Sequence, residues 1–185
     1  MSAIYLIRHA EKPEGKLQGV DENGKDDPES LIPRGWQRAG ALAVFFGSPA
    51  GLPSPARIYA AAPGKDKVAP HEKVGSKSRR PLETVTPLAA KLGLTPIETW
   101  TKGQETQLAA AITPLEGITL VCWQHEAIPA IATAITGSAK GIPDPWPGDR
   151  FDVVWRFVRS GADKSWVFDQ VCQHVLAGDG TKPIG

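Results

Sequence analysis

Apolar residues fall along this chain in short clusters separated by polar stretches, and the spacing within each cluster predicts the elements. Ala3 to Ile7 is a compact apolar run with β-branched and aromatic members, which reads as a buried first strand ending at Arg8-His9. Residues 11 to 30 are polar and rich in Gly, Asp, Glu and Lys, and read as a long loop. Pro33 then opens a helix, with Trp36, Ala39, Leu42, Ala43 and Phe46 at helical spacing and Gly47 and Pro49 as the stop. Arg57 to Ala61 reads as a second strand, and residues 63 to 77 as a second polar loop. The next helix begins at Pro81 and closes at Gly93, with Leu82, Val85, Leu88, Ala89 and Leu92 along one face.

Pro96 to Trp100 reads as a short strand and Glu105 to Ile112 as a helix. Ile118 to Trp123 is nearly continuous apolar sequence, as a strand covered on both faces requires. Ala127 to Ile135 follows as a helix closed by Gly137. The style then changes. Phe151 to Val158 and Trp166 to Val171 flank Ser160-Gly161-Ala162-Asp163, the pattern of a β-hairpin, and residues 178 to 185 read as a loose tail. Strands alternating with helices predict an α/β fold: a three-layer α/β/α sandwich with a mostly parallel central sheet and the C-terminal hairpin at its edge. With 185 residues the whole chain, 1–185, is expected to form one domain.

Bulk composition narrows the function classes. The net charge is +1, which does not suit wholesale binding of nucleic acid or of an acidic membrane. No stretch reaches the roughly 20 apolar residues that span a bilayer, and the N-terminal apolar run lacks the length and preceding basic residues of a secretion signal, so a cytoplasmic location is expected. Cys122 and Cys172 are expected as buried, reduced thiols.

Chemistry-bearing residues gather at three points where a strand ends or a helix begins, the places where open α/β sheets bind ligands. They are Arg8-His9-Ala10-Glu11, Ser78-Arg79-Arg80-Pro81-Leu82-Glu83-Thr84 and Trp123-Gln124-His125-Glu126. Each alone has an ordinary explanation as a solvated charge or a core histidine. As an ordered set they resemble the histidine phosphatase superfamily, also called the phosphoglycerate mutase-like family. The resemblance rests on Arg8-His9 after the first strand, on Arg80 four residues before Thr84 at a helix start, and on His125 after a late strand. Pro33-Arg34-Gly35-Trp36-Gln37-Arg38-Ala39 is similar to the helix start that follows the first loop in that family, so the likeness spans roughly residues 3 to 137.

The resemblance implies a phosphatase rather than a mutase, because this chain is short and its loops show no added clamp. It implies His9 as the nucleophile, forming a phosphohistidine that water opens, with Arg8, Arg80 and His125 binding the phosphoryl group. The residue types suit that work. Guanidinium groups bind a phosphate dianion through paired, charge-assisted hydrogen bonds, and neighbouring cations keep an imidazole neutral and therefore nucleophilic. A protonated His125 would add a further donor. One requirement follows: Arg8 and His9 are neighbours, and reach one site only if the strand has broken there.

The proton for the leaving oxygen has two candidate sources. One branch of the family places the acid directly after the second histidine, here Glu126; the other places a glutamate after the third strand, here Glu98 or Glu105. Glu126 is preferred to Glu105. Glu11 is expected to orient an arginine. No metal and no cofactor are expected; the partners are a small phosphorylated substrate or a phosphoprotein, with no nucleic acid and no membrane, and oligomeric state is open. The loops 11–30 and 63–77 are candidate lids, and Lys65, Lys67, Lys73, Lys77 and Arg79 make the second one basic. Three rivals stand beside this reading. A zincin helix would need a second histidine where Gly75 or Pro129 stands, and Gly75-Ser76-Lys77-Ser78 lacks the order of a nucleotide-binding loop. A phosphate-binding or regulatory module without turnover is the third.

Overall fold

The computed structural model describes residues 2–64, 76–159 and 165–185. Five strands form one sheet in the order β2-β3-β1-β4-β5, with β1 at Ser2–Arg8, β2 at Arg57–Ala60, β3 at Gly117–Trp123, β4 at Val153–Arg159 and β5 at Val167–Cys172. β2, β3 and β1 run parallel, while β4 returns antiparallel to β1 and β5 antiparallel to β4. The hairpin therefore extends the sheet beyond β1, as its alternating sequence predicts.

All seven positions of β1 are buried because the strand is central and covered on both faces. Its side chains alternate between two cores. Ala3, Tyr5 and Ile7 pack towards α1 (Pro33–Phe45) and α2 (Arg80–Leu92). Ile4 and Leu6 pack towards α3 (Glu105–Ile112) and α4 (Ile128–Thr136). β3 repeats the arrangement, with Leu120 and Cys122 on the first face and Val121 and Trp123 on the second. Each fully buried Leu or Ile in these layers stabilises the fold by about 1.5–3 kcal/mol. Helix ends follow the sequence signals: Pro33 stands in the first turn of α1, and Gly93 and Gly137 adopt the left-handed conformation that closes α2 and α4.

Three expectations are corrected. The segment from Pro96 to Trp100 is not a regular strand. An isolated bridge, Ile97 to Tyr59, attaches it to β2, since proline supplies no ladder donor at its start, and a second, Thr101 to Ala62, lies just beyond both. The helix expected from Ala127 is preceded by a 3-10 turn at His125–Ala127. Residues 178 to 185 are not loose: Asp179 pairs with Arg38, Ile184 is 5% exposed, and its backbone exchanges two hydrogen bonds with the Gln170 side chain. Cys122 is buried and Cys172 half-buried, and both are free thiols. No helix among the described residues is long and apolar enough to cross a membrane.

Candidate active site

β1 and β3 are parallel and end abreast, with Arg8 opposite Trp123. The ladder continues one step further, the His9 backbone N–H donating to the Trp123 carbonyl at 3.0 Å. It then breaks. The Ala10 N–H turns instead to the Thr84 hydroxyl at 2.8 Å, and that hydroxyl donates to the Arg80 carbonyl at 2.7 Å. One side chain thus ties the strand end to the first turn of α2. This is the break that lets Arg8 and His9 serve one place.

His9 is 4% exposed. Its Nδ1 lies 2.7 Å from the Ala10 carbonyl. A carbonyl only accepts, so Nδ1 carries the hydrogen and Nε2 keeps its lone pair. Burial pulls the His9 pKa down to about 3, and Arg8, Arg80 and His125 add to the shift against the opposing pull of the Ala10 carbonyl. Those three cationic or ionisable groups, drawn from β1, α2 and the end of β3, therefore all bear on one neutral imidazole.

Arg8 is 1% exposed. Its Nη1 donates to the Gly148 carbonyl at 2.6 Å and approaches those of Pro147 and Arg150, while its Cζ sits 3.8 Å from the Phe151 ring centroid. Nε and Nη2 have no hydrogen-bond partner among the described residues. These two atoms form one edge of the guanidinium fork, the edge that grips an oxyanion with two parallel hydrogen bonds. Burial takes the Arg8 pKa down to about 10, with Glu126 and Glu11 acting the other way. Arg80 is anchored on the loop at residues 11–30: Nη2 donates to Pro28, Nε to Ser30, and Nη1 to the Ser78 hydroxyl.

His125 follows β3 in the 3-10 turn. Burial and Arg8 lower its pKa, so it stands neutral near neutral pH and offers a single N–H, rather than the two of an imidazolium. Glu126 is half-exposed. It accepts from Lys102 at 2.5 Å and lies 2.9 Å from His125 Nδ1. Burial would raise its pKa, but Lys102 outweighs that and holds it below the ordinary carboxylate value. Glu105 stands at the start of α3, where Oε1 accepts from the Trp123 indole and the Gly103 N–H, both at 2.9 Å. Glu98 is exposed, next to the bridge of Ile97 to Tyr59 within β2 and so short of the strand ends.

Glu11 engages two arginines, Arg38 at 2.9 Å and Arg34 at 3.3 Å, as its expected orienting role requires. The close seat of α1 on this segment explains Gly35. A Cβ there would stand 2.6 Å from the Glu11 carbonyl oxygen. Arg79 is held by Glu22, Asp27 and Glu83 instead of standing free in solvent. Lys65, Lys67, Lys73, His71, Glu72 and Gly75, like the hairpin turn at 160–164, lie outside the described residues. Among the described residues no group of three or more His, Cys, Asp or Glu is placed to hold a metal ion.

Phe151, Gln124 and Lys102 border this site without having been singled out from the sequence. Gln124 had a signal, since it stands directly after an apolar run in a segment of interest. Phe151 had none. It meets Arg8 only because β4 returns beside β1.

No family model matches the chain, and no curated protein matches it either. Solved structures do. The protein histidine phosphatase SixA complexed with tungstate is 10% identical, with a TM-score of 0.56 over 92% of this chain and 97% of that one. Phosphoserine phosphatase from Entamoeba histolytica in complex with 3-phosphoglyceric acid is 15% identical, with a TM-score of 0.57 over 95% and 100%. Mycobacterial glucosyl-3-phosphoglycerate phosphatase is 14% identical, with a TM-score of 0.53 over 90% and 96%. At such identities the superpositions establish a shared architecture and no more: this chain has the fold of these histidine phosphatase superfamily structures, the family that its Arg8-His9, Arg80-Thr84 and His125 motifs resemble.

Proposed function

We propose that the protein is a phosphomonoesterase of the histidine phosphatase superfamily that works through a phosphohistidine on His9. The observation that carries this is the unpartnered Nε–Nη2 edge of Arg8 beside a neutral His9 whose Nδ1 is already committed to the Ala10 carbonyl. A dianionic phosphate monoester supplies the two acceptors that this edge lacks, with Arg80 as a further donor and His125 as another once the bound dianion favours its protonation.

In the first step the His9 Nε2 lone pair attacks phosphorus and the ester P–O bond breaks. The ring gains positive charge, which the Ala10 carbonyl stabilises through Nδ1–H. The leaving oxygen takes a proton from Glu126, whose carboxyl loses the help of nearby cations once a dianion neutralises them, so that its pKa rises on binding. In the second step water attacks phosphorus, its proton returns to Glu126, the P–N bond breaks and inorganic phosphate leaves. Glu105 serves as a positioning residue for Trp123 in this scheme.

The proposed reaction uses no metal. Its substrate is a small phosphorylated metabolite or a phosphoprotein, in keeping with structural neighbours described as a protein histidine phosphatase and a phosphoserine phosphatase. The test is phosphate release across a panel of phosphate esters, with chelator present, by wild type and His9→Ala. Wild type is expected to release phosphate from at least one ester, and His9→Ala to lose at least about a thousandfold in turnover while keeping its circular dichroism. Undiminished turnover by the variant would refute the mechanism.

A further inference from the structure

The residue between Trp123 and His125 is a buried amide that the mechanism above does not use. Gln124 is 4% exposed, and neither its Nε2 nor its Oε1 has a hydrogen-bond partner among the described residues. Buried polar side chains are ordinarily satisfied, and one with both ends open calls for an explanation.

Its neighbours show which way it faces. The Cys122 thiol bears on the Thr84 hydroxyl, on the α2 side of the sheet. The Trp123 indole reaches Glu105, on the α3 side. Gln124 is still extended, with φ −77° and ψ 134°, so strand alternation returns its side chain to the α2 side. Thr84 has both its donor and its acceptor engaged there, with Arg80 and Ala10. On the adjacent strand His9 is the neighbour, joined through its N–H to the Trp123 carbonyl, and its Nδ1 is engaged as well. Alternation thus puts the amide on the α2 face of the sheet, the face on which the Thr84 hydroxyl has its own hydrogen bonds already made.

We infer that Gln124 is a phosphoryl-binding residue, whose Nε2 amide donates to an oxygen of the group held by Arg8 and Arg80. The inference rests on the phosphatase reading and adds to it a neutral contact. Because neither end of the amide is fixed by a partner, the NH2 can turn to the ligand without breaking an existing bond. A neutral donor suits this position. Another cation beside His9 would add to the pull on its basicity, whereas an amide grips a phosphoryl oxygen and leaves the charge balance alone.

The test uses the full chain with Gln124→Met, which keeps the shape and removes the polar ends, and Gln124→Glu, which keeps the shape and adds a negative charge. Inorganic phosphate is titrated calorimetrically and as an inhibitor of p-nitrophenyl phosphate hydrolysis, and thermal midpoints are recorded alongside. Removing an unsatisfied buried amide is neutral or stabilising, so the Gln124→Met midpoint is expected to hold or rise. Phosphate affinity is expected to fall roughly tenfold or more, the scale of one hydrogen bond to a charged group, with KM rising in step. Gln124→Glu is expected to bind phosphate more weakly still. Wild-type phosphate affinity in Gln124→Met would overturn the assignment, and so would failure of that variant to fold, which would mean that the amide serves the scaffold. The two readings fail separately. A wild type that neither hydrolyses esters nor binds phosphate removes both, while wild-type phosphate affinity in Gln124→Met, with turnover still lost in His9→Ala, removes only the role of Gln124.

Discussion

Among the described residues two arginines, Arg8 and Arg38, are buried, and they are treated in opposite ways. Arg38, on α1, is 2% exposed, and each of its three nitrogens is engaged, with both oxygens of Glu11, both of Asp179 and the Gln173 amide oxygen. Burial works against its charge, yet Asp179 and Glu11 together lift its pKa above the ordinary value. Arg8 is 1% exposed and its direct contacts among the described residues are neutral carbonyls and an aromatic ring, with half of its fork unengaged and the nearby carboxylates acting only at a distance. Its pKa moves the other way. A buried cation with its own carboxylates is a structural joint. One without them carries an unmet electrostatic demand, which an anionic ligand satisfies.

The contrast can be broken most directly at Arg8. Arg8→Ala is expected to cost roughly a thousandfold in phosphate release, as when a principal charge-stabilising donor is removed, while the cooperative unfolding transition is retained. A stable variant with wild-type turnover would place Arg8 with the joints. Arg38→Met is expected to do the reverse. It strands two buried carboxylates and should lower unfolding free energy by about 3–5 kcal/mol in urea titrations. Combining it with Glu11→Gln and Asp179→Asn should restore most of that loss, because no unpaired charge is then left inside.

His9 gives a smaller effect, through pH. Its folded pKa of about 3 lies below the ordinary histidine value of 6.5, so the unfolded chain binds the extra proton between those limits. Stability is therefore fully present above pH 6.5 and is lost as pH falls through that window. At about 1.4 kcal/mol per unit, wild type should lose roughly 2–3 kcal/mol more than His9→Ala between about pH 6.5 and about pH 4.5, measured by denaturant titration. Equal losses would mean that the imidazole is not held neutral. The smallest effect sharpens the comparison from the ligand's side. Inorganic phosphate at ten times its dissociation constant should stabilise wild type by about 1.4 kcal/mol, raise the midpoint of Arg38→Met comparably, and leave Arg8→Ala unmoved.

Much of this was legible in the sequence where the signal is local. The apolar runs at Ala3 to Ile7 and Ile118 to Trp123 mark the two central parallel strands, since burial on both faces permits no polar alternation. Pro33 and Gly93 mark helix ends through backbone geometry alone. The three motif segments do come together, because parallel strands put their carboxyl ends at one edge. What was hidden depends on partners far along the chain. The tail reads as loose because Gly, Thr and Pro carry no periodicity, yet Asp179 is fixed by Arg38 and Ile184 by Gln170. Phe151 carries no mark of its own, and Glu11 gives no sign of which arginine it will meet. Gln124 is the intermediate case. Its polarity after an apolar run was visible, but not that its amide would be buried without a partner.

The position of β1 has a consequence for how the molecule comes to exist. Its ladder partners are Gly117–Trp123 on one side and Val154–Arg159 on the other. β1 is therefore made before either of its neighbours, and stays unpaired until Gly117–Trp123 and then Val154–Arg159 have followed it. Until then an apolar segment with open edges is exposed to other nascent chains. Such long-range pairing predicts slow folding for a protein of this size and a tendency of C-terminally shortened fragments to aggregate, with the nucleophilic histidine assembled among the last features of the fold.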